Sequence, residues 1–203
     1  MVFGEGNANC EVLFIGEAPG QNEDEQRRPF VGRGGQLLRQ MIREIGWKEQ
    51  DVYITNIVKR RPPGNRDPLP EEIAAYKPYL TRQVELIAPK VIVPLGRFST
   101  NYFLPEAKIT RDQGRAFRVP AHPYLPAGRQ GSGEGGDAHL VIPMLHPAAA
   151  LRAPEMMRAF QETFRKLPDV IAKGVTVDIA PAFAEARADK PAKAKPATEN
   201  RLF

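Results

Sequence analysis

Four short apolar runs constrain this chain more than any other feature. Val12–Ile15 stops at Gly16, Val52–Thr55 at Asn56 and Val91–Leu95 at Gly96, while Leu140–Met144 feeds His146-Pro147. Runs of four or five apolar residues bounded by turn formers read as strands buried on both faces. Helical patterns separate them. Gly32, Gly34 and Gly35 open a stretch in which Leu37, Leu38, Met41, Ile42 and Ile45 recur at helical spacing, and Gly46 stops it. Pro70-Glu71-Glu72 starts a second helix, with proline in the first turn and acids near the positive end of the dipole, and Ala88-Pro89 ends it. A short helix follows Gly96, Arg115–Val119 reads as a further strand, and a last helix is expected from Pro154 to Leu167. Strands alternating with helices predict a three-layer α/β/α fold around a short central parallel sheet. Such sheets bind ligands at the carboxyl ends of their strands. Here those ends carry Gly16-Glu17, Thr55-Asn56, Gly96-Arg97 and His146.

One domain is expected over residues 1–175, interrupted at 125–138 by a flexible insertion too rich in glycine and polar residues to build a core. Residues 180–203 are Ala, Lys and Pro with few large apolars and read as a disordered tail. No apolar run is long enough to span a bilayer, and the first residues lack a basic-then-apolar leader pattern. The single cysteine, Cys10, excludes an internal disulfide and a metal site built from cysteines alone. A monomer in the cytoplasm, in the cytosol or nucleoid of a bacterium or archaeon, is the expectation. The formal charge of +5 favours a polyanionic partner through counterion release, although a basic tail on a neutral domain gives the same number.

Three residues at or after strand ends fit a flat polar ring. The Asn56 amide offers an acceptor and two donors, a match for an imide N–H beside a carbonyl. His146 can donate to a second carbonyl and stabilise charge growing on it. Phe30, between prolines and Gly32, can present a stacking face. Uracil shows carbonyl, N–H and carbonyl along one edge. Taken singly, the same residues are a turn former, a structural His-Pro and a core plug.

The segments GEAPGQNEDEQRRPFVGRGGQLL (Gly16–Leu38), VYITNIVKRRPPGNRDPLPEE (Val52–Glu72), PKVIVPLGRFS (Pro89–Ser99) and HPAAALR (His146–Arg152) resemble the family 4 uracil-DNA glycosylases. The likeness runs in order from about Val2 to Leu167 and is broken only by the Gly-rich insertion. It implies the uracil-DNA glycosylase fold and monofunctional hydrolysis of the N-glycosidic bond of uracil in single- or double-stranded DNA, leaving an abasic site for base excision repair. By that resemblance Phe30 stacks on the flipped base, Asn56 holds its Watson–Crick edge and His146 bonds the O2 carbonyl as the base departs. Glu17 positions or polarises the attacking water. Gly16, Ala18 and Gln21 line the pocket and Gly20 lies near the ring. Residues Pro147–Arg152 enter the minor groove with Leu151 as the wedge, which offsets the cost of flipping. Glu23 and Asp24 are lesser candidates for the carboxylate, with a solvated loop or a helix cap as their ordinary reading.

The family's [4Fe–4S] cluster requires four thiolates. Two of the matching positions hold Arg60 and Tyr76, and Cys10 matches none, so no cofactor and no metal are expected. Tyr76 as an aromatic plug and a paired Arg60 would fix the loop instead. Lys59, Arg60, Arg61 and Arg66 form a basic stretch, and Arg97 follows the third strand; phosphate contact and plain solvation both account for them. The final Leu202-Phe203 resembles a sliding-clamp ligand without its leading glutamine. A non-catalytic module that binds uracil-DNA or abasic sites is the rival reading. A phosphate-loop nucleotidase is disfavoured because Gly16–Gly20 lacks Gly-Lys-Ser/Thr.

Overall fold

The computed structural model describes residues 1–120, 138–173 and 176–178. In chain order the elements are β1 (Glu5–Gly6), β2 (Val12–Gly16), α1 (Gln21–Gln26), α2 (Arg33–Glu44), β3 (Val52–Asn56), α3 (Pro70–Ile87), β4 (Val91–Pro94), α4 (Arg97–Phe103), α5 (Ile109–Asp112), β5 (Ala116–Pro120), β6 (Ala138–Val141), α6 (Pro147–Ala150), α7 (Pro154–Lys173) and β7 (Thr176–Asp178). Of the Gly-rich stretch, residues 125–137 lie outside the described residues and Ala138 opens β6. The tail from 180 to 203, with Leu202-Phe203, also lies outside them.

The sheet order is β1-β3-β2-β4-β6-β5-β7. The expected parallel sheet is its middle, β3-β2-β4-β6. Its flanks differ from the expectation: β5 runs antiparallel to β6 and β1 antiparallel to β3, with β7 parallel to β5 on the far edge. Two-residue β1 carries no apolar alternation that a sequence pattern could reveal.

Alternation along the central strands builds the three layers. Val12 and Phe14 of β2, with Val91 and Val93 of β4, join Leu38, Met41 and Ile42 of α2 and Phe160, Phe164 and Leu167 of α7. Leu13, Ile15 and Ile92 face the other way, onto Leu80, Val84 and Ile87 of α3 and Phe103 of α4. Phe14 and Phe164 stack with centroids 5.8 Å apart and planes 5° from parallel. The last helix passes Pro168 and ends at Lys173, longer than its sequence pattern. Its inner face keeps packing, which outweighs the hydrogen bond that proline removes.

Register positions the site. Gly16 pairs with Asn56 across β2 and β3, and Leu95 bridges Met144. The residues that follow, Glu17, Ile57, Gly96 and Leu145-His146, therefore leave the sheet at one edge, where the Gly96 N–H still donates to the Met144 carbonyl.

Candidate active site

Asn56 ends β3 and is only 2% exposed, and its amide oxygen is buried with no hydrogen-bond partner. A buried amide left unpaired is unfavourable and marks a place for a ligand. Gly16 lies against it: a Cβ there would stand 2.4 Å from Asn56 Oδ1 and 2.5 Å from Phe30 Cζ. Only glycine lets the amide and the ring close over the strand end. Beneath, Lys59 is fully buried. Its Nζ donates to the Asn56 carbonyl and to Thr55 Oγ1, each at 2.7 Å, and to Gln83 Oε1. Burial pulls its pKa down to about 7. Lys59 thus braces the strand end, and phosphate contact by this member of the basic stretch is excluded.

Phe30 is 5% exposed and has φ 52°, a left-handed backbone uncommon for a bulky residue. Its ring centroid lies 5.8 Å from that of His146, with planes 31° apart. The neighbouring backbone is bonded on both sides. One Glu23 oxygen accepts from Val31 N at 2.9 Å and Gly32 N at 2.7 Å. Arg39 donates to the carbonyls of Pro29 at 3.0 Å and Phe30 at 3.1 Å. Glu23 is therefore neither a solvated loop acid nor a cap of its own helix.

His146 precedes the single turn α6, and the Ala148 N–H donates to its Nδ1 at 3.2 Å. Nδ1 is thus the acceptor of the ring, and the proton of the neutral form sits on Nε2. Burial lowers the ring's pKa to about 4, with Glu23 raising and Arg152 lowering it by charge. The ring is a neutral donor at physiological pH.

Phe30, Asn56 and His146 converge on a cavity of about 390 Å³, with Ala18, Gly20, Gln21 and Glu23 in its wall. This is the size of a small-molecule site. Gly16 touches the ring and the amide from behind. Glu17 is not among the residues that line the cavity. Its half-buried carboxyl is raised to about 7, by burial first and then by Asp67, with Arg97 acting in the opposite sense. Adjacent residues leaving a strand point to opposite sides, and Glu17 follows Gly16, the residue that abuts the Phe30 ring and the Asn56 amide.

The basic residues are already engaged. Arg66 holds Glu72 at 2.7 and 2.8 Å, Arg61 donates to Asn65 Oδ1 at 2.7 Å, and Arg97 meets Asp67 at 3.0 Å while lying over the Phe98 ring. At the end of α6, Leu151 is 37% exposed and Arg152 is exposed, whereas Pro147 is buried and can only shape the turn.

An iron–sulfur cluster does not fit the donors present. The chain has one cysteine, Cys10, buried in the apolar cluster on the α3 side. No group of three or more His, Cys, Asp or Glu able to hold a metal occurs among the described residues. Arg60 is exposed and Tyr76 packs against that same cluster, 6.1 Å from the Tyr79 ring. No helix among the described residues is long and apolar enough to cross a membrane.

Near the carboxyl ends of a short parallel sheet, an aromatic ring, an amide whose oxygen has no partner and an imidazole held neutral by burial thus wall one cavity of an α/β protein. The model of the uracil DNA glycosylase superfamily matches residues 3–168, and the chain belongs to that superfamily, on its type-4 branch. It is 44% identical over 179 residues to the type-4 uracil-DNA glycosylase of Saccharolobus solfataricus, an alignment covering 87% of this chain and 79% of the relative. The type-4 enzyme of Thermotoga maritima is 41% identical, with 85% and 84% covered. That of Archaeoglobus fulgidus is 40% identical, with 85% and 82% covered.

Proposed function

We propose that this chain is a uracil-DNA glycosylase that hydrolyses the N-glycosidic bond of uracil in DNA and leaves an abasic site, within a single domain spanning residues 1–175. The observation that carries this reading is the buried, unpartnered amide oxygen of Asn56, a residue that lines one cavity with Phe30 and His146. Uracil turned out of the helix stacks on Phe30. Asn56 Oδ1 accepts the imide N–H, and the amide N–H donates to the adjacent carbonyl. His146 Nε2–H donates to O2, where negative charge grows as the bond breaks. A donor aimed at developing charge contributes about 3 kcal/mol or more. Glu17, beside the cavity, holds the water that attacks the sugar. Among the described residues no lysine lines the cavity, and the Lys59 amine is sealed behind Asn56, in keeping with a monofunctional enzyme. Leu151 fills the space the flipped base vacates, with Arg152, Arg61, Arg66 and Arg97 beside the phosphates.

The test is cleavage of single-stranded DNA carrying one uracil, resolved on a gel after alkali. Wild-type protein cleaves, and Asn56→Ala and His146→Ala each fall by about 10²-fold or more. No cleavage by wild type, or binding without cleavage as in a non-catalytic module, overturns the reading. We further propose that the protein works in the cytosol as a monomer without iron, so it purifies colourless. A brown preparation with visible absorbance refutes the last point. The Leu202-Phe203 contact with a sliding clamp stands as a proposal too: deleting residues 201–203 is expected to abolish clamp affinity, and unchanged affinity removes it.

A further inference from the structure

We propose that Glu23 is a positioning residue for Phe30, fixing the stacking ring through the backbone of the two residues that follow it; this deepens the uracil-excision reading and rests on it. Phe30 is one of few non-glycine residues here with positive φ, and a bulky side chain keeps that conformation only when its surroundings over-determine it. Three restraints do so. The Phe30 carbonyl occupies the space beside Gly35, where a Cβ would lie 2.0 Å from Phe30 C and O. Arg39 holds the carbonyls of Pro29 and Phe30 from behind, while also pairing with Glu49. Glu23 takes the next two N–H groups, of Val31 and Gly32, from the cavity side. Without it these partly buried amides have no acceptor, and nothing on that side opposes relaxation of Phe30 toward an ordinary φ. The ring would then leave the Asn56 amide that it meets across Gly16.

Both bonds end on the same carboxyl oxygen. The need is therefore for an acceptor of that reach rather than for negative charge, and a glutamine carbonyl with two lone pairs can supply it. This separates positioning from acid–base chemistry, where glutamine fails as alanine does. The experiment measures kcat/KM on single-stranded uracil-DNA and, apart from turnover, the affinity for free uracil by calorimetry. Glu23→Ala is expected to lose about tenfold or more in both. Glu23→Gln recovers most of the loss, and adding Glu23→Ala to Phe30→Ala costs little further. Thermal melting shows whether each variant is folded. If Glu23→Ala does not fold, Glu23→Asp, which keeps the charge but shortens the reach, carries the same expectation. Wild-type behaviour of Glu23→Ala, equal damage by Glu23→Gln, or losses that multiply with Phe30→Ala each overturn the proposal. Wild-type protein that binds uracil but releases none refutes the excision reading and leaves the affinity arm to decide on Glu23. Wild-type protein that neither binds nor releases uracil refutes both.

Discussion

The loops that leave β2 and β3 lie side by side, and each is tied by one glutamate, yet they are built to different standards. After β2, Glu23 holds two partly buried amides and the Gly35 backbone touches that of Phe30. After β3, the partly exposed Glu72 pairs with Arg66 and accepts from Leu69 N at 2.8 Å, which pulls its pKa to about 2, while Gly64 has nothing within 4 Å of its missing Cβ. The first loop is restrained by packing and desolvated hydrogen bonds, the second by screened ion pairs and prolines. Precision is concentrated where the ring is placed, and the second loop needs only to be kept in shape.

The largest test of that contrast is a matched pair of glycine substitutions. Gly35→Ala drives a Cβ into backbone that cannot yield, so kcat/KM is expected to fall by about 10²-fold or more as the ring is displaced. Gly64→Ala, at φ 63° in open space, is expected to cost about 1 kcal/mol in stability and leave kcat/KM unchanged. Equal effects in kinetics and thermal melts would erase the distinction.

A second, smaller effect comes where the loops meet, at Glu17, Asp67 and Arg97. In the role proposed for it, Glu17 holds water as the carboxylate, so kcat/KM should rise with pH through about 7, and Glu17→Gln should abolish that limb along with most of the rate. Removing the like charge in Asp67→Asn moves the limb to lower pH, and removing the opposite charge in Arg97→Gln moves it to higher pH. His146, neutral down to about pH 4, adds no limb near 7. Because the Glu17 pKa is raised on folding, its contribution to stability declines as pH climbs from about 4.5 to 7. Denaturant melts across that window check the sign.

The smallest effect belongs to Glu72→Gln. An exposed pair contributes little, so the melting temperature should drop by no more than about 3 °C, less in high salt, with activity retained. A large loss would mean that the β3 loop is as finely set as its neighbour.

That Asn56, His146 and Phe30 meet at one cavity was legible because strand ends and proline-flanked loops are visible as patterns, and the layers followed from apolar alternation. The bonds that Glu23 makes were not, because its partners are backbone amides eight and nine residues away, which any loop acid could reach or miss. Lys59 reads as one more basic residue beside Arg60 and Arg61. Its burial depends on acceptors from Thr55 and from Gln83 on α3, brought together only by the fold. Which way Glu17 leaves its strand end was not legible, since one residue of pleat decides the direction of a side chain. The short edge strands carry too few residues to show a period.

The amide of Ala148 has a consequence for acid tolerance. The imidazole nitrogen that receives it is the one that must take up the second proton, so charging the ring also removes the cap of the turn leading to Leu151. On the roles proposed for His146 and Leu151, recognition and insertion are therefore unfastened by a single protonation event. Nitrogen chemical shifts of His146 and the amide signal of Ala148 should titrate with one shared midpoint near pH 4.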